Sequence, residues 1–170
     1  MNAKKFNLKD IILTTIFTLF FIVQIILMFL FFNELGLIYL VFIGYGIWGL
    51  SIYFGVISFW TFKKRGGVEK GKSYINTTKI VVKGPYAIIR HPQYLGGILF
   101  TLSITLWTQI LLSLILTILI IILTYQWTYT EDKKLIEKFG EDYKKYIGKV
   151  PRLNPILGIF KYFIHREKNK

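Results

Sequence analysis

The chain has 170 residues, 54% of them hydrophobic and 18% charged, and 22 Lys and Arg against 9 Asp and Glu give a net charge of +13. So apolar a composition excludes an ordinary soluble domain and points to an integral membrane protein. With no cysteine, disulfides, thiolate metal ligands and cysteine nucleophiles are ruled out, and with His91 and His165 as the two histidines no dedicated metal site is expected.

Residues 11–32 carry no charge, and at about 1.5 Å per residue they reach across roughly 30 Å of hydrocarbon. No short apolar core with a small-residue cleavage site precedes them, so the run reads as a retained span rather than a removed signal. Asn33 and Glu34 separate it from a second uncharged run, 35–62. Gly36, Gly44, Gly46, Gly49 and Gly55 in that run would let a partner helix approach closely, which makes it the expected central helix. Lys63-Lys64-Arg65-Gly66-Gly67 is an interfacial stop followed by a turn, Ile80-Val81-Val82 a short extended run, and Gly84-Pro85 a second turn.

The third uncharged run, 94–129, has 36 residues. As one helix it would be about 54 Å long, too long for one crossing, so it reads as two spans, 94–109 and 111–129, turning at the polar Trp107-Thr108-Gln109. Pro92 disfavours a helical His91 but suits a first helical turn, which places the start of the third span near Pro92. His91 and Tyr94 then sit at a helix N-terminus, where free N–H groups suit a carboxylate or a ring nitrogen.

Thr130-Glu131-Asp132 reads as the start of a further helix running to about Lys149, with Thr130 as its cap and the two acids in its first turn. Leu135, Ile136, Phe139, Tyr143, Tyr146, Ile147 and Val150 form one apolar face of it. Pro151 and Pro155 end it, and residues 156–170 follow as a short interfacial segment in which His165 is solvated. The fold expected is all-α: a single membrane domain over 1–170, a helical bundle of four transmembrane spans whose last two form a hairpin, with a cytoplasmic interfacial C-terminal helix.

Of the 22 basic residues, 3 precede residue 11, 8 lie from Lys63 to Arg90 and 11 follow residue 130. By the positive-inside rule both termini and the 63–93 segment face the cytoplasm, at the cell membrane. The basic residues are scattered around membrane ends and form no nucleic-acid-binding module, so the excess charge reads as topology and attraction to anionic headgroups.

The motifs resemble a known family. Gly84-Pro85-Tyr86, then Arg90-His91-Pro92 with Tyr94 and Gly96, then Glu131-Asp132 with Leu135, Phe139-Gly140, Tyr143 and Tyr146, and finally Val150-Pro151-Arg152 are similar to the isoprenylcysteine carboxyl methyltransferase and phospholipid methyltransferase superfamily. The resemblance covers roughly residues 75–155. It implies a membrane enzyme that binds S-adenosylmethionine, with S-adenosylhomocysteine as product, between segments 75–96 and 130–152. Carried over by position, the cofactor contacts fall on Thr78, Lys79, Ile80, Val81, Tyr86, Arg90, His91, Pro92, Gln93, Tyr94 and Glu131. Catalytic roles fall on Glu131, His91 and Tyr94, and acceptor contacts on Trp127 and Arg152.

Such a cofactor needs an acidic group for its ammonium, donors for its carboxylate and adenine, and flat apolar walls. Glu131 suits the ammonium or ribose, and His91 the carboxylate or adenine. The expected partners are a small lipophilic acceptor and membrane lipid. Isoprenylcysteine methyltransferases carry an arginine four residues before the Glu131 position, where this chain has Trp127, so a prenylcysteine carboxylate would lose a charged partner. A membrane reductase of the sterol type, using NADPH, has a similar C-terminal region but usually Asn in place of Gln93 and an acid in place of Gly97. A non-catalytic membrane scaffold is the third reading.

Overall fold

The computed structural model describes residues 8–67 and 77–167. Residues 75 and 76 of the expected cofactor segment, the side chain of His165 and residues 168–170 of the tail lie outside the described residues. Among the described residues every regular element is helical: α1 (Leu8–Leu30), α2 (Ile38–Ile52), a π-helical turn (Tyr53–Ile57), α3 (Ser58–Arg65), a 3-10 turn (Gly84–Ala87), α4 (Pro92–Thr108), α5 (Leu111–Phe139), α6 (Glu141–Lys149) and α7 (Pro155–Glu167). Among the described residues three helices are long and apolar enough to cross a membrane, Ile11–Leu30, Ile38–Arg65 and Leu111–Phe139. In lipid the backbone must satisfy its own hydrogen bonds, which is why uncharged runs of this length become helices.

One sequence expectation is corrected. No helix begins at Thr130; α5 continues unbroken to Phe139, and the Thr130 hydroxyl donates to the Gln126 carbonyl one turn back at 3.3 Å. Nothing between 111 and 139 is Gly or Pro, so the helix has no reason to stop where charge begins. The break falls at Gly140, which precedes α6 with φ 59 and ψ −133, a backbone conformation that only glycine adopts without strain.

The chain divides into two compact units, and the division falls inside continuous helices. The first comprises Met1–Trp48 and Ile98–Tyr125. Its core is Val41, Ile104 and Trp107, with Met28 and Phe100 against them. Gly44 lies under Trp107: a Cβ there would sit 2.7 Å from the indole nitrogen. Deep in this unit the fully buried Gln24 amide donates to the Ser113 carbonyl and the Thr117 hydroxyl, each at 2.8 Å, and accepts from the Ser113 hydroxyl at 2.8 Å. Between α4 and α5, Gln109 takes φ 57. Its amide donates to Asn33 Oδ1 at 2.8 Å and the Leu37 carbonyl at 3.0 Å, tying the two short connections of this unit together.

The second unit comprises Gly49–Gly97 and Gln126–Lys170. Here the first turn of α4 presses on the π-helical turn: a Cβ on Gly96 would lie 2.8 Å from the Gly55 nitrogen and 3.1 Å from the Ser51 carbonyl oxygen. The Ser51 hydroxyl donates to the Gly96 carbonyl at 2.9 Å across the same contact. Further along, the Phe62 and Tyr86 rings meet at 5.8 Å. Tyr143, Tyr146 and Val150 form the core under α6, packed by Ile80, Leu135, Ile136, Phe139 and Ile147. Gly158 of α7 rests directly on the Ile88 carbonyl, while Ile156, Ile159, Phe160 and Phe163 on the same helix stay exposed.

Candidate functional site

The second unit converges on Asp132, which is 3% exposed. Its Oδ2 accepts from Arg90 Nη1 at 3.0 Å and Arg152 Nε at 2.8 Å. Its Oδ1 pairs with His91 Nε2 at 2.8 Å and accepts from the Tyr143 hydroxyl at 2.8 Å. Three chain segments therefore meet on one carboxylate of a fourth, α5. The backbone repeats the connection, since Arg90 N donates to the Pro151 carbonyl at 3.0 Å and His91 N to the Arg152 carbonyl at 3.2 Å. Removing Asp132 from so buried a cluster costs about 3–5 kcal/mol, because Arg90 and Arg152 are left uncompensated.

Two tyrosine hydroxyls brace the cluster. Burial, with the Asp132 charge next, pushes the Tyr143 hydroxyl above the ordinary tyrosine range, and burial does the same to Tyr146. Both therefore remain donors: Tyr143 to Asp132, and Tyr146 to the Tyr86 carbonyl at 2.6 Å. Burial also raises Tyr86. The local sequence explains the loop, because Pro92 starts α4 and keeps His91 out of the helix, so Arg90 and His91 offer their backbone N–H groups sideways to 151–152.

Of the residues picked out by sequence, Arg90, His91 and Arg152 come together on Asp132. Tyr94 is half-buried with its ring at 5.7 Å from the His91 ring, edge to face. Pro92 is fully buried, and Gln93 beside it holds its side-chain Nε2 buried with no hydrogen-bond partner, as does Arg90 its Nε. Ile80 packs on the Tyr143 cluster and Val81 is buried. Thr78 and Lys79 are exposed, and their backbone N–H groups donate to the Gly66 carbonyl at 2.9 and 3.2 Å. Glu131, one-third exposed, faces Lys134 at 3.7 Å and takes no part in the hydrogen bonds around Asp132. Trp127 is half-buried on α5. Arg152 also lays its guanidinium over the Tyr129 ring at 5.2 Å.

Asp132, Tyr143 and Tyr146 are the residues that sequence reasoning did not single out for the site. The signal was present in the neighbouring acid pair and in the apolar stripe of α6, where a tyrosine can carry a hydroxyl into a buried interior.

Residues 39–142 match the phospholipid methyltransferase family. The chain belongs to that family. This phospholipid methyltransferase family member is also 33% identical, over 84 residues, to a protein-S-isoprenylcysteine O-methyltransferase from Schizosaccharomyces pombe (strain 972 / ATCC 24843). That match covers 46% of this chain and 34% of the relative, so the likeness spans about a third of the relative's length. No solved structure matches the chain. The family match takes in Arg90, His91, Glu131 and Asp132, whereas Tyr143 and Arg152 lie just beyond it.

Proposed function

We propose that this chain is a four-span membrane methyltransferase that takes S-adenosylmethionine on its cytoplasmic side and methylates a lipophilic acceptor arriving from the bilayer. The observation that carries this reading is the convergence of Arg90, His91 and Arg152 on Asp132, which ties the turn before α4 to the end of α5 and the segment after α6. The donor set nearby suits a nucleoside amino acid. Gln93 Nε2 and Arg90 Nε are buried donors still without partners, Glu131 is a partly exposed carboxylate for an ammonium, and Tyr94 supplies a flat wall. When bound, the cofactor supplies a methyl group on a sulfonium that is already electrophilic. The chain's residues then have to place the acceptor in line and exclude water.

In this reading α4, which is uncharged over its 17 residues, makes the fourth crossing and forms a hairpin with α5. Helix α7 lies in the cytoplasmic interface with Ile156, Ile159, Phe160 and Phe163 toward the acyl chains. The relative's name gives isoprenylcysteine as its acceptor. With Trp127 where the resemblance calls for an arginine, and Arg152 bonded to Asp132, the acceptor here is a lipophilic molecule that does not depend on that charged contact.

Calorimetry with S-adenosylhomocysteine tests the site. Glu131→Ala and His91→Ala should each weaken binding about tenfold, about 1.4 kcal/mol. Unchanged affinity in both variants would discard the assignment of the site. Absence of binding to the wild type, with stabilisation by NADPH instead, would discard methyl transfer.

A further inference from the structure

Asp132 is placed to do more than hold segments together. An ionised carboxylate only accepts hydrogen bonds, so the nitrogen of His91 that faces it at 2.8 Å, Nε2, must carry the proton. In the neutral ring that leaves Nδ1 as the lone-pair acceptor. The Tyr94 ring stands edge to face beside the imidazole at 5.7 Å, and the ring itself is 5% exposed, so few orientations are open to it.

We propose that Asp132 is a positioning residue for the reaction: it fixes His91 as the Nδ1-acceptor tautomer, so that the imidazole meets the bound ligand with a lone pair and not with a proton. The inference rests on the methyltransferase reading for its ligand, but its tautomer half stands on geometry alone. The arrangement around the carboxylate makes the claim sharp. Oδ2 is claimed by two guanidinium donors, Arg90 and Arg152, which cannot accept a hydrogen bond. Oδ1 faces His91 and Tyr143, both of which can either donate or accept. If Asp132 becomes Asn, the arginines demand the remaining oxygen, and the new NH2 is forced onto the His91 side. There it donates to Nε2 and drives the ring proton to Nδ1, while the Tyr143 hydroxyl turns to accept. The substitution keeps the shape and inverts the tautomer.

Nitrogen NMR on 15N-histidine-labelled protein in detergent reads this directly, because the chain holds two histidines and a His165→Gln variant leaves the His91 signals alone. In the wild type Nε2 should appear protonated and Nδ1 unprotonated, and added S-adenosylhomocysteine should shift Nδ1 more than Nε2. In Asp132→Asn the pattern should invert, with S-adenosylhomocysteine affinity reduced tenfold or more while the helical circular dichroism is kept. A protonated Nδ1 in the wild type at neutral pH, whether as the other tautomer or as the imidazolium, overturns the proposal whether or not the variant folds. So does an Nδ1 signal that bound S-adenosylhomocysteine leaves in place, or an inverted tautomer with undiminished affinity. Failure of the wild type to bind S-adenosylhomocysteine at all would instead strike the methyltransferase reading, and the functional half of this inference with it.

Discussion

Gly96 and Gly97 are neighbours in the first turns of α4, yet the fold asks very different things of them. A methyl group at 96 would stand 2.8 Å from the Gly55 nitrogen, 3.1 Å from the Gly55 Cα and 3.1 Å from the Ser51 carbonyl oxygen, all backbone atoms. At 97 it would meet nothing within 4 Å. Gly96→Ala therefore has to push α4 off the π-helical turn, an overpacking cost of about 1–3 kcal/mol. The move also stretches the 2.9 Å bond from the Ser51 hydroxyl to the Gly96 carbonyl, worth about 1 kcal/mol. Gly97→Ala loses no contact and gains helix propensity of roughly 0.8–1 kcal/mol. Both positions lie within α4 and gain that propensity alike, so the pair should differ by about 2–4 kcal/mol, the overpacking and hydrogen-bond terms together.

At about 2–4 °C of Tm per kcal/mol for a chain of this size, Gly96→Ala should melt well below the wild type and Gly97→Ala level with it or slightly above. Thermal unfolding in detergent, followed by circular dichroism, measures both. Because α4's first turn also carries Gln93 and Tyr94, Gly96→Ala should weaken S-adenosylhomocysteine binding while Gly97→Ala leaves it alone. Equal melting temperatures for the two variants would refute the close approach of Gly96 to Gly55 and Ser51.

Further outcomes follow from the buried polar groups. Tyr86, Tyr143 and Tyr146 all have hydroxyls raised by burial, so above pH about 10 the unfolded chain releases protons that the folded one keeps. Their stabilising contribution is complete below that pH and is lost as pH climbs above it. Melting temperature should fall from about pH 10 upward, less steeply in Tyr143→Phe, which at neutral pH costs about 1–3 kcal/mol through the Asp132 oxygen left short of a donor; a flat profile between neutral pH and pH about 11 would contradict the burial. In the first unit, Gln24→Leu should cost about 0.6–1.7 kcal/mol in unfolding assays and leave S-adenosylhomocysteine affinity untouched, and a binding defect there would show that the network around Ser113 and Thr117 serves the site.

The helices were legible because uncharged runs leave the backbone no choice, and the turn at Gln109 because it is the polar point in an otherwise apolar stretch. Gly44 was legible as a point of close approach, whereas a Cβ on Gly36, Gly46, Gly49 or Gly55, marked on the same ground, would meet nothing within 4 Å. The helix start at Thr130 misread a change of solvent as a change of backbone. Charges mark where a helix leaves the apolar layer; Gly140, ten residues later, marks where it ends. Glu131 and Asp132 were indistinguishable in sequence, because adjacent helical residues point about 100° apart and which one turns inward depends on Arg90, Tyr143 and Arg152, all distant along the chain. The π-helical turn at Tyr53–Ile57 had no signal in the residues beyond a glycine.

The joint at Gly140 carries a consequence of handedness. Its missing side chain has ample room, since a Cβ would touch nothing within 4 Å, so the position selects glycine through torsion alone. Reflected in a mirror, φ 59 and ψ −133 become an extended conformation that ordinary residues favour. A D-alanine introduced there by chemical ligation should be accepted with ease, and even stabilise the chain by limiting its unfolded freedom, where the L-enantiomer of the same atoms would swing α6, and with it the Tyr143 hydroxyl, away from Asp132.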